Sequence, residues 1–251
     1  MEQILEVDKL NCIFNKGKKR EVTALKSVSF SLGKGECLGI IGESGSGKST
    51  VARIVTRLLS ATNGSVMLEG DDLNNISKKE LYKKIQMVFQ TPVESFNPRL
   101  RIGVSVAESL KNAGYSTSET KERVANLLEE CGLTSDYANR FPHELSGGEC
   151  QRAAIARALA ISPDILICDE ATSSLDVTVQ KEIIALLDNI RKAKGEDISI
   201  IFISHDIALV QAFCDRVIVM NKGEIVEMGD TDEVIKNPKD EYTKKLIASV
   251  L

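Results

Sequence analysis

The sequence predicts an α/β fold that carries a helical insertion. Residues 3–31 alternate apolar and polar side chains as strands do, and the apolar runs 37–41 and 198–203 are typical of buried strands. Between Phe89 and Ile165 no strong strand pattern occurs, and the apolar residues follow helical spacing instead. We therefore expect one globular domain with an inserted subdomain, which fits a chain of 251 residues.

A phosphate-binding loop is expected directly after the run 37–41. The stretch 40–50, I-I-G-E-S-G-S-G-K-S-T, contains the pattern G-x-x-x-x-G-K-[ST]. A strand, a glycine-rich turn and a helix N-terminus direct several backbone N–H groups at one point, where the helix dipole favours an anion. Lys48 is placed to reach the β- and γ-phosphates, and the Ser49 hydroxyl to take a Mg²⁺ position. The residues expected to hold the nucleotide here are Gly42, Glu43, Ser44, Gly45, Ser46, Gly47, Lys48, Ser49 and Thr50.

Two other interpretations of this loop are weaker. A surface loop rich in glycine and serine would leave the apolar strand before it and the helix after it unexplained. A dinucleotide site would need the order G-x-G-x-x-G, which is absent here.

The bulk composition excludes several classes of function. The net charge is −4, so no basic surface argues for nucleic acid. No apolar run approaches the roughly 20 residues of a membrane span, and the first six residues lack the pattern of a signal peptide. If the protein works at a membrane, we expect another chain to provide the membrane part.

The cysteines favour a reduced, intracellular protein. They form no C-x-x-C pair and lie mostly in apolar strand or helix patterns, so we expect core residues and not a metal site. They are Cys12, Cys37, Cys131, Cys150, Cys168 and Cys214.

A second glycine turn lies inside the predicted insertion. After helical patterns at 104–112 and 118–131, the second with Ser118 as its expected N-cap, the segment 145–149 (L-S-G-G-E) leads into an amphipathic helix. This turn is another anion-seeking helix N-terminus. One nucleotide does not obviously need two such sites. The two are reconciled if the second faces a nucleotide that a different subunit holds.

Two carboxylates follow the apolar strand that begins at Ile165. Asp169 at the strand tip is expected to hold the Mg²⁺ shell, and Glu170 to reach past it toward a water molecule. Carboxylates directly after a buried strand are costly to leave unpaired, so an ordinary surface role is a poor explanation.

Gln90 and His205 also follow predicted strands. Ligands of open α/β sheets bind at the carboxyl ends of the strands, so both side chains are expected near Lys48, although Gln90 could also be an ordinary surface amide. His143 precedes the second glycine turn, and we expect no catalytic role for it. Phe14 could stack on an adenine ring or belong to a satellite core, and spacing alone favours the core.

Together these motifs resemble the ATP-binding subunit of an ABC transporter over nearly the whole chain. Phe14 matches the adenine-stacking aromatic, residues 42–50 match the Walker A loop, and Gln90 matches the Q-loop. Residues 145–149 match the signature, and residues 165–170 match the Walker B strand. Ser174-Leu175-Asp176 matches the D-loop, and His205 matches the switch histidine. The signature departs from the usual pattern, because Glu149 stands where Gln is commoner. An acidic residue there is expected to weaken the γ-phosphate contact slightly.

The resemblance implies a single ABC ATPase domain over residues 1–251. Its P-loop NTPase (RecA-like) core would comprise residues 1–90 and 163–251 and begin with an antiparallel β subdomain. An α-helical subdomain inserted at residues 91–162 would carry the signature.

The resemblance also implies how the sites work. ATP would stack on Phe14, Mg²⁺ would lie between Ser49, Gln90 and the shell of Asp169, and Gln90, Glu170 and His205 would serve catalysis. A second ATP-binding subunit, identical or paralogous, would pair head to tail. Its nucleotide would then face the signature and D-loop residues of this chain, which are Ser146, Gly147, Gly148, Glu149 and Asp176.

A narrower resemblance is to the peptide/nickel importer branch. The segment 88–98 is similar to that branch's V-F-Q-x-P-x-x-S-x-N-P, and residues 237–246 look like its H-P-Y-T-x-x-L tail. This implies a peripheral subunit at the cytoplasmic face of the cell membrane. It would dock on transmembrane permease subunits, served by an extracytoplasmic solute-binding protein, and power uptake of an oligo- or dipeptide, nickel or a metal chelate.

Three other functions are less consistent with the sequence or differ from import in direction only. A soluble ABC-type ATPase of translation or DNA repair would usually carry two nucleotide domains or a long coiled-coil insertion. The ATPase of an exporter differs in direction only, and direction rests on the branch resemblance. A nucleotide-dependent switch without turnover is disfavoured by the presence of Glu170 and His205.

Overall fold

The computed structural model describes residues 2–17, 21–173, 175–193 and 198–249. Its strands are β1 (Gln3–Phe14), β2 (Val22–Gly33), β3 (Cys37–Ile41), β4 (Asn63–Leu68), β5 (Asp71–Asp72), β6 (Ile85–Val88), β7 (Ile165–Asp169), β8 (Ser199–Ile203), β9 (Arg216–Asn221) and β10 (Glu224–Asp230). Its α-helices are α1 (Lys48–Val55), α2 (Lys78–Lys84), α3 (Ile102–Ala113), α4 (Thr117–Glu130), α5 (Gly147–Leu159), α6 (Val177–Ala193), α7 (Ile207–Phe213), α8 (Thr231–Lys236) and α9 (Glu241–Ala248).

The strands form two sheets, which confirms the predicted mixed α/β fold. The first has the order β2-β1-β4-β5 and is antiparallel throughout. The second has the order β10-β9-β3-β8-β7-β6, and only its β10 edge pairs in antiparallel fashion, as the predicted hairpin with β9.

The central strands of the second sheet are buried on both faces. Every residue of β3, β7 and β8 is buried, as their continuous apolar runs require. One apolar cluster lies between the two sheets and includes α1, and the other joins the second sheet to α3, α4 and α5. The second sheet therefore forms a rigid base for the loops at its edge.

Helices occupy the chain between β6 and β7. They are α3, α4 and α5, with short 3₁₀ turns at Val93–Ser95, Ser135–Asn139 and Pro142–Glu144. The expected N-cap of α4 is wrong, because Ser116 and not Ser118 caps this helix. Ser116 accepts a hydrogen bond from the Glu119 backbone N–H, and the Glu119 carboxylate accepts one from the Ser116 N–H, so a reciprocal capping box begins the helix two residues earlier.

All six cysteines are buried. Burial raises the pKa of the Cys168 thiol to about 12 and that of Cys150 to about 11, so these thiols stay protonated and act as small apolar residues. Within the described ranges, no group of His, Cys, Asp and Glu side chains is arranged to hold a metal ion by itself. The same ranges contain no helix that is both long and apolar enough to span a bilayer.

Candidate functional site

The sheet register brings the predicted polar residues to one edge. Ile203 of β8 lies opposite both Ile40 of β3 and Asp169 of β7. The loops that follow these parallel strands therefore leave the sheet side by side. They carry the phosphate loop, Glu170 and His205, and the strand β6 beyond β7 leads to Gln90.

The phosphate loop needs glycine at two positions. Gly42 has a φ of 147°, and a Cβ there would lie 2.2 Å from the Met220 carbonyl oxygen. Gly47 has a φ of 109°, and a Cβ there would lie 2.8 Å from the Ala24 carbonyl oxygen. Since both contacts are to backbone atoms, a side chain could not be accommodated by a rotamer change. The glycines let the loop pack against β2 and β9, and no side chain caps the N-terminus of the helix α1 that follows.

Lys48 is buried beneath the loop. Its Nζ donates hydrogen bonds to the carbonyl oxygens of Gly42 at 2.7 Å and Glu43 at 2.9 Å. Burial lowers the pKa of Lys48, and the nearby carboxylates of Glu170 and Asp169 partly oppose that shift. An ammonium held by neutral carbonyls in a desolvated place attracts a phosphate strongly.

The Ser49 hydroxyl and the Asp169 carboxylate meet at the start of α1. Ser49 Oγ donates to Asp169 Oδ1 at 2.8 Å, and Asp169 is itself buried. Burial raises the pKa of Asp169, and the Ser49 hydrogen bond opposes it. A hydroxyl and a desolvated carboxylate side by side are hard oxygen donors, so these residues fit a Mg²⁺ ion.

Gln90 and Glu170 are also in contact. Gln90 Nε2 donates to Glu170 Oε2 at 2.8 Å. The backbone of Glu170 is left-handed with a φ of 49°, which costs about 1–2 kcal/mol for a residue with a side chain. Its N–H donates to the Ile203 carbonyl at 3.0 Å, and the Ser173 hydroxyl donates to its carbonyl, also at 3.0 Å. The side chain of Glu170 is thus turned from the strand direction into the space beside the phosphate loop and held there.

The remaining predicted residues are exposed. His205 lies after β8, where Asp206 begins α7 by accepting from the Leu209 N–H at 3.1 Å. Phe14 ends β1 and is 38% exposed, which is unlike a core residue and leaves a ring face free for stacking. His143 stacks on Phe141 with ring centroids 5.6 Å apart.

The second glycine turn caps α5. Ser146 and Glu149 form a capping box, in which Ser146 Oγ accepts from the Glu149 N–H at 3.3 Å and Glu149 Oε2 accepts from the Ser146 N–H at 2.7 Å. No hydrogen bond in the described part of the chain joins this turn to the phosphate loop. The phosphate loop with its nearby acidic residues and the N-terminus of α5 are therefore two sites that no described hydrogen bond connects.

Asp176 caps α6 with its side chain. Its Oδ1 accepts from the backbone N–H groups of Thr178 at 3.1 Å and Val179 at 3.0 Å. Ser174, which belongs to the same predicted motif, lies outside the described residues. Asp176 itself is exposed, so this local capping leaves its outer face accessible.

Tyr242 contacts the phosphate loop, which the sequence did not predict. Its hydroxyl oxygen accepts from the Glu43 N–H at 3.0 Å. The same peptide group presents the Gly42 carbonyl to Lys48 Nζ, so it is held from both ends. Asp240 caps α9 by accepting from the Tyr242 N–H at 2.8 Å, and Glu227 of β10 accepts from the Lys239 and Asp240 N–H groups, which fixes the entry to this helix. The signal in the sequence was the tail pattern at 237–246, which indicates a family and not a contact.

Comparisons with known proteins agree on one family. Residues 25–173 match a family model described as "ABC transporter". The chain is 44% identical over 262 aligned residues to the oligopeptide transport ATP-binding protein OppF of Haemophilus influenzae, which covers 99% of this chain and 78% of that protein. It is 40% identical to the OppF protein of Bacillus subtilis, over 99% of this chain and 83% of that one.

Solved structures give the same result for the fold. A dimeric ATP-binding cassette, MJ0796, in a post-hydrolysis state with ADP and Pi, has a TM-score of 0.81 at 31% identity. That match covers 90% of this chain and 98% of the other. The fold of this chain is therefore the fold of the solved cassette.

Proposed function

Because the chain belongs to the ABC transporter family, we propose that it is the ATP-hydrolysing subunit that powers import of oligopeptides through separate membrane permease subunits. The observation that carries the cargo class is the high identity, over nearly the whole chain, to proteins named for oligopeptide transport. The same names favour a transporter over a soluble ATPase of translation or DNA repair. Nickel and metal chelates remain the alternative cargoes that the segment 88–98 suggested.

We propose that ATP binds with its adenine ring on Phe14 and its phosphates in the loop 42–50. The exposed ring of Phe14 and the N-terminus of α1, which no side chain caps, support this placement. Lys48 would exchange its hydrogen bonds to Gly42 and Glu43 for the β- and γ-phosphates, a neutral-to-charged exchange that favours binding.

Mg²⁺ would be held by Ser49 and Gln90 and, through its shell, by Asp169. Their hydroxyl, amide and carboxylate oxygens are the donor types that Mg²⁺ prefers. When bound, the ion neutralises charge on the β- and γ-phosphates.

Glu170, His205 and Gln90 would serve the hydrolysis step. Glu170 would take a proton from the attacking water, since it is the carboxylate that the bent backbone turns beside the phosphate loop. Gln90 would hold Glu170 in place through the 2.8 Å hydrogen bond, and exposed His205 would contact the γ-phosphate.

The second glycine turn would act on a partner's nucleotide. We propose a head-to-tail pair with an identical chain or a paralogue, in which Ser146, Gly147, Gly148, Glu149 and Asp176 face the ATP of the other subunit. The separation of this turn from the chain's own hydrogen-bonded loop supports the arrangement, as does the dimeric state of the similar cassette.

We further propose that the chain lies at the cytoplasmic face of the membrane, and that an extracytoplasmic solute-binding protein serves the assembled system. Residues 91–162 would be the helical subdomain, inserted between core segments 1–90 and 163–251. The absence of strands between β6 and β7, a fully described stretch, supports these bounds. The segment from Gln90 to Pro98, where the core leads into the subdomain, would contact the permease and transmit closure as a lid does.

An uptake experiment tests the cargo and the direction. In a strain that lacks this gene, uptake of a labelled tetrapeptide is expected to fall to background while uptake of labelled Ni²⁺ is unchanged. Wild-type protein should restore peptide uptake, and Glu170→Gln should not, because transport needs turnover. Loss of Ni²⁺ uptake alone would replace the peptide by the metal, and loss of neither would contradict an importer.

Removing the Tyr242 hydroxyl should weaken ATP binding. In Tyr242→Phe the Gly42–Glu43 peptide loses one of its two anchors, so we expect the Kd for MgATP to rise about two- to tenfold, the equivalent of one net hydrogen bond. The maximal rate at saturating ATP should stay within about twofold, since the hydroxyl touches no reacting group. Tyr115→Phe, at an exposed tyrosine after α3, is the matched control. An unchanged Kd, or an equal fall in kcat, would refute this role.

A further inference from the structure

Two hydrogen bonds anchor the Glu149 carboxylate, one to each oxygen. Its Oε2 accepts from the Ser146 N–H at 2.7 Å, and its Oε1 accepts from the Tyr137 hydroxyl. Tyr137 belongs to the 3₁₀ turn Ser135–Asn139, which packs against α3 and α4. One carboxylate oxygen thus takes its hydrogen bond from the glycine turn, and the other takes it from Tyr137, a residue of a different element.

This anchoring addresses an electrostatic conflict. The N-terminus of α5 attracts anions, but Glu149 in its first turn is already one, and it would repel an approaching phosphate at short range. The Tyr137 hydrogen bond first, and then those from Ser146, hold the pKa of Glu149 below its usual range, so the carboxylate stays charged. Protonation of Glu149 therefore does not remove the repulsion of a phosphate, and only the position of the carboxylate can reduce it.

The guanidinium group of Arg140 lies against the Tyr137 ring. The guanidinium carbon of Arg140 is 3.9 Å from the centre of the Tyr137 ring, and Arg140 also favours the charged form of Glu149. The Glu149 carboxylate is thus hydrogen-bonded to Tyr137, and the Tyr137 ring is in contact with the positive charge of Arg140. Ser146 and Gly147 remain exposed at the tip of the turn.

We propose that Tyr137 is a positioning residue for the signature turn: it holds the Glu149 carboxylate back from the γ-phosphate that the partner subunit binds. This inference rests on the head-to-tail pair proposed above. Through this hydrogen bond, Tyr137 makes Glu149 compatible with an anion site at the signature turn. The role depends on the Tyr137 hydroxyl and not on the bulk of its ring.

The test compares Tyr137→Phe with wild type in the purified transporter. Without the hydroxyl, Glu149 should swing toward the nucleotide, so the ATP concentration for half-maximal hydrolysis should rise about three- to tenfold at low salt. The difference should shrink below about twofold near 0.5 M salt, where screening is strong. The isolated chain, diluted so that it does not pair, should bind MgATP unchanged, because Tyr137 acts on the partner's site. Tyr115→Phe, in the same insertion, is the matched control.

A second variant separates positioning from folding. In a Glu149→Gln background no charge remains to be held back, so adding Tyr137→Phe should change half-saturation by less than about twofold and without salt dependence. An equal, salt-independent effect in both backgrounds would show that Tyr137 only supports the fold, and no effect in either would also overturn the inference. If the wild-type transporter neither hydrolyses ATP nor forms the pair, the proposed function fails as well, so the two failures are distinguishable.

Discussion

Glu170→Gln is expected to bind MgATP as tightly as wild type and to hydrolyse it about 10²–10⁴-fold more slowly. This range is what loss of a positioned general base costs, about 3–5 kcal/mol of barrier. The amide can still pair with Gln90, whose Nε2 lies 2.8 Å from the carboxylate, so the geometry of the site should survive. In the proposed head-to-tail pair, ATP would close the site and hydrolysis would reopen it, so the variant should accumulate as a closed pair.

Three measurements check this result. Steady-state phosphate release gives the rate, titration with a fluorescent ATP analogue gives the affinity, and size-exclusion chromatography with MgATP shows the pair. Glu129→Gln, on the exposed face of α4, is the matched acid-to-amide control and should behave as wild type. Turnover within threefold of wild type would remove Glu170 from the role of base and leave Asp169 or a water chain to be tested.

The phosphate loop and the sheet edge could be predicted because their signals are local. Gly42 and Gly47 are required by backbone contacts within 3 Å, and such requirements leave a fixed pattern in the sequence. Asp169 could be placed beside Ser49 because parallel strands in register align their carboxyl ends. In both cases the local pattern predicts a strand and the loop after it, and the sheet then brings residues that are far apart in sequence together.

The contacts of Tyr137 and Tyr242 could not be predicted in this way. Tyr242 reaches Glu43 across 199 residues of sequence, and the position of α9 depends on how β10 and the turn held by Glu227 pack. Tyr137 is close to Glu149 in sequence, but a 3₁₀ turn has no strong periodicity to show which way its ring faces. Tertiary packing decides both.

The N-cap of α4 was also predicted wrongly from the sequence. Ser116 and Ser118 both lie before an apolar helical pattern, and each is a good N-cap residue. The choice depends on which serine has a glutamate three residues later, and Glu119 selects Ser116. This distinction is visible in the sequence, because Ser118 has Lys121 and not a glutamate three residues later.

Lys48→Ala is expected to abolish ATP binding, in contrast to Glu170→Gln. Two charge-assisted hydrogen bonds to phosphate oxygens are lost, and at about 1.5–3 kcal/mol each the Kd should rise about 10²-fold or more. The free protein should lose little stability, because removing the buried ammonium also removes its desolvation penalty, which is the cause of the lowered pKa of Lys48.

A thermal shift with MgATP separates the loss of binding from a loss of stability, because a ligand stabilises the fold by an amount that grows with the ratio of its concentration to its Kd. Wild type should show a clear rise in Tm, and Lys48→Ala should show none at the same ATP concentration. Lys48→Met keeps the aliphatic volume and should fail as well, which assigns the loss to the charge and not to a cavity. Lys236→Ala, an exposed lysine paired with Asp232, should keep the full shift. If Lys48→Met retained the shift, the buried ammonium would serve the packing of the empty loop, and the backbone N–H groups alone would bind the phosphates.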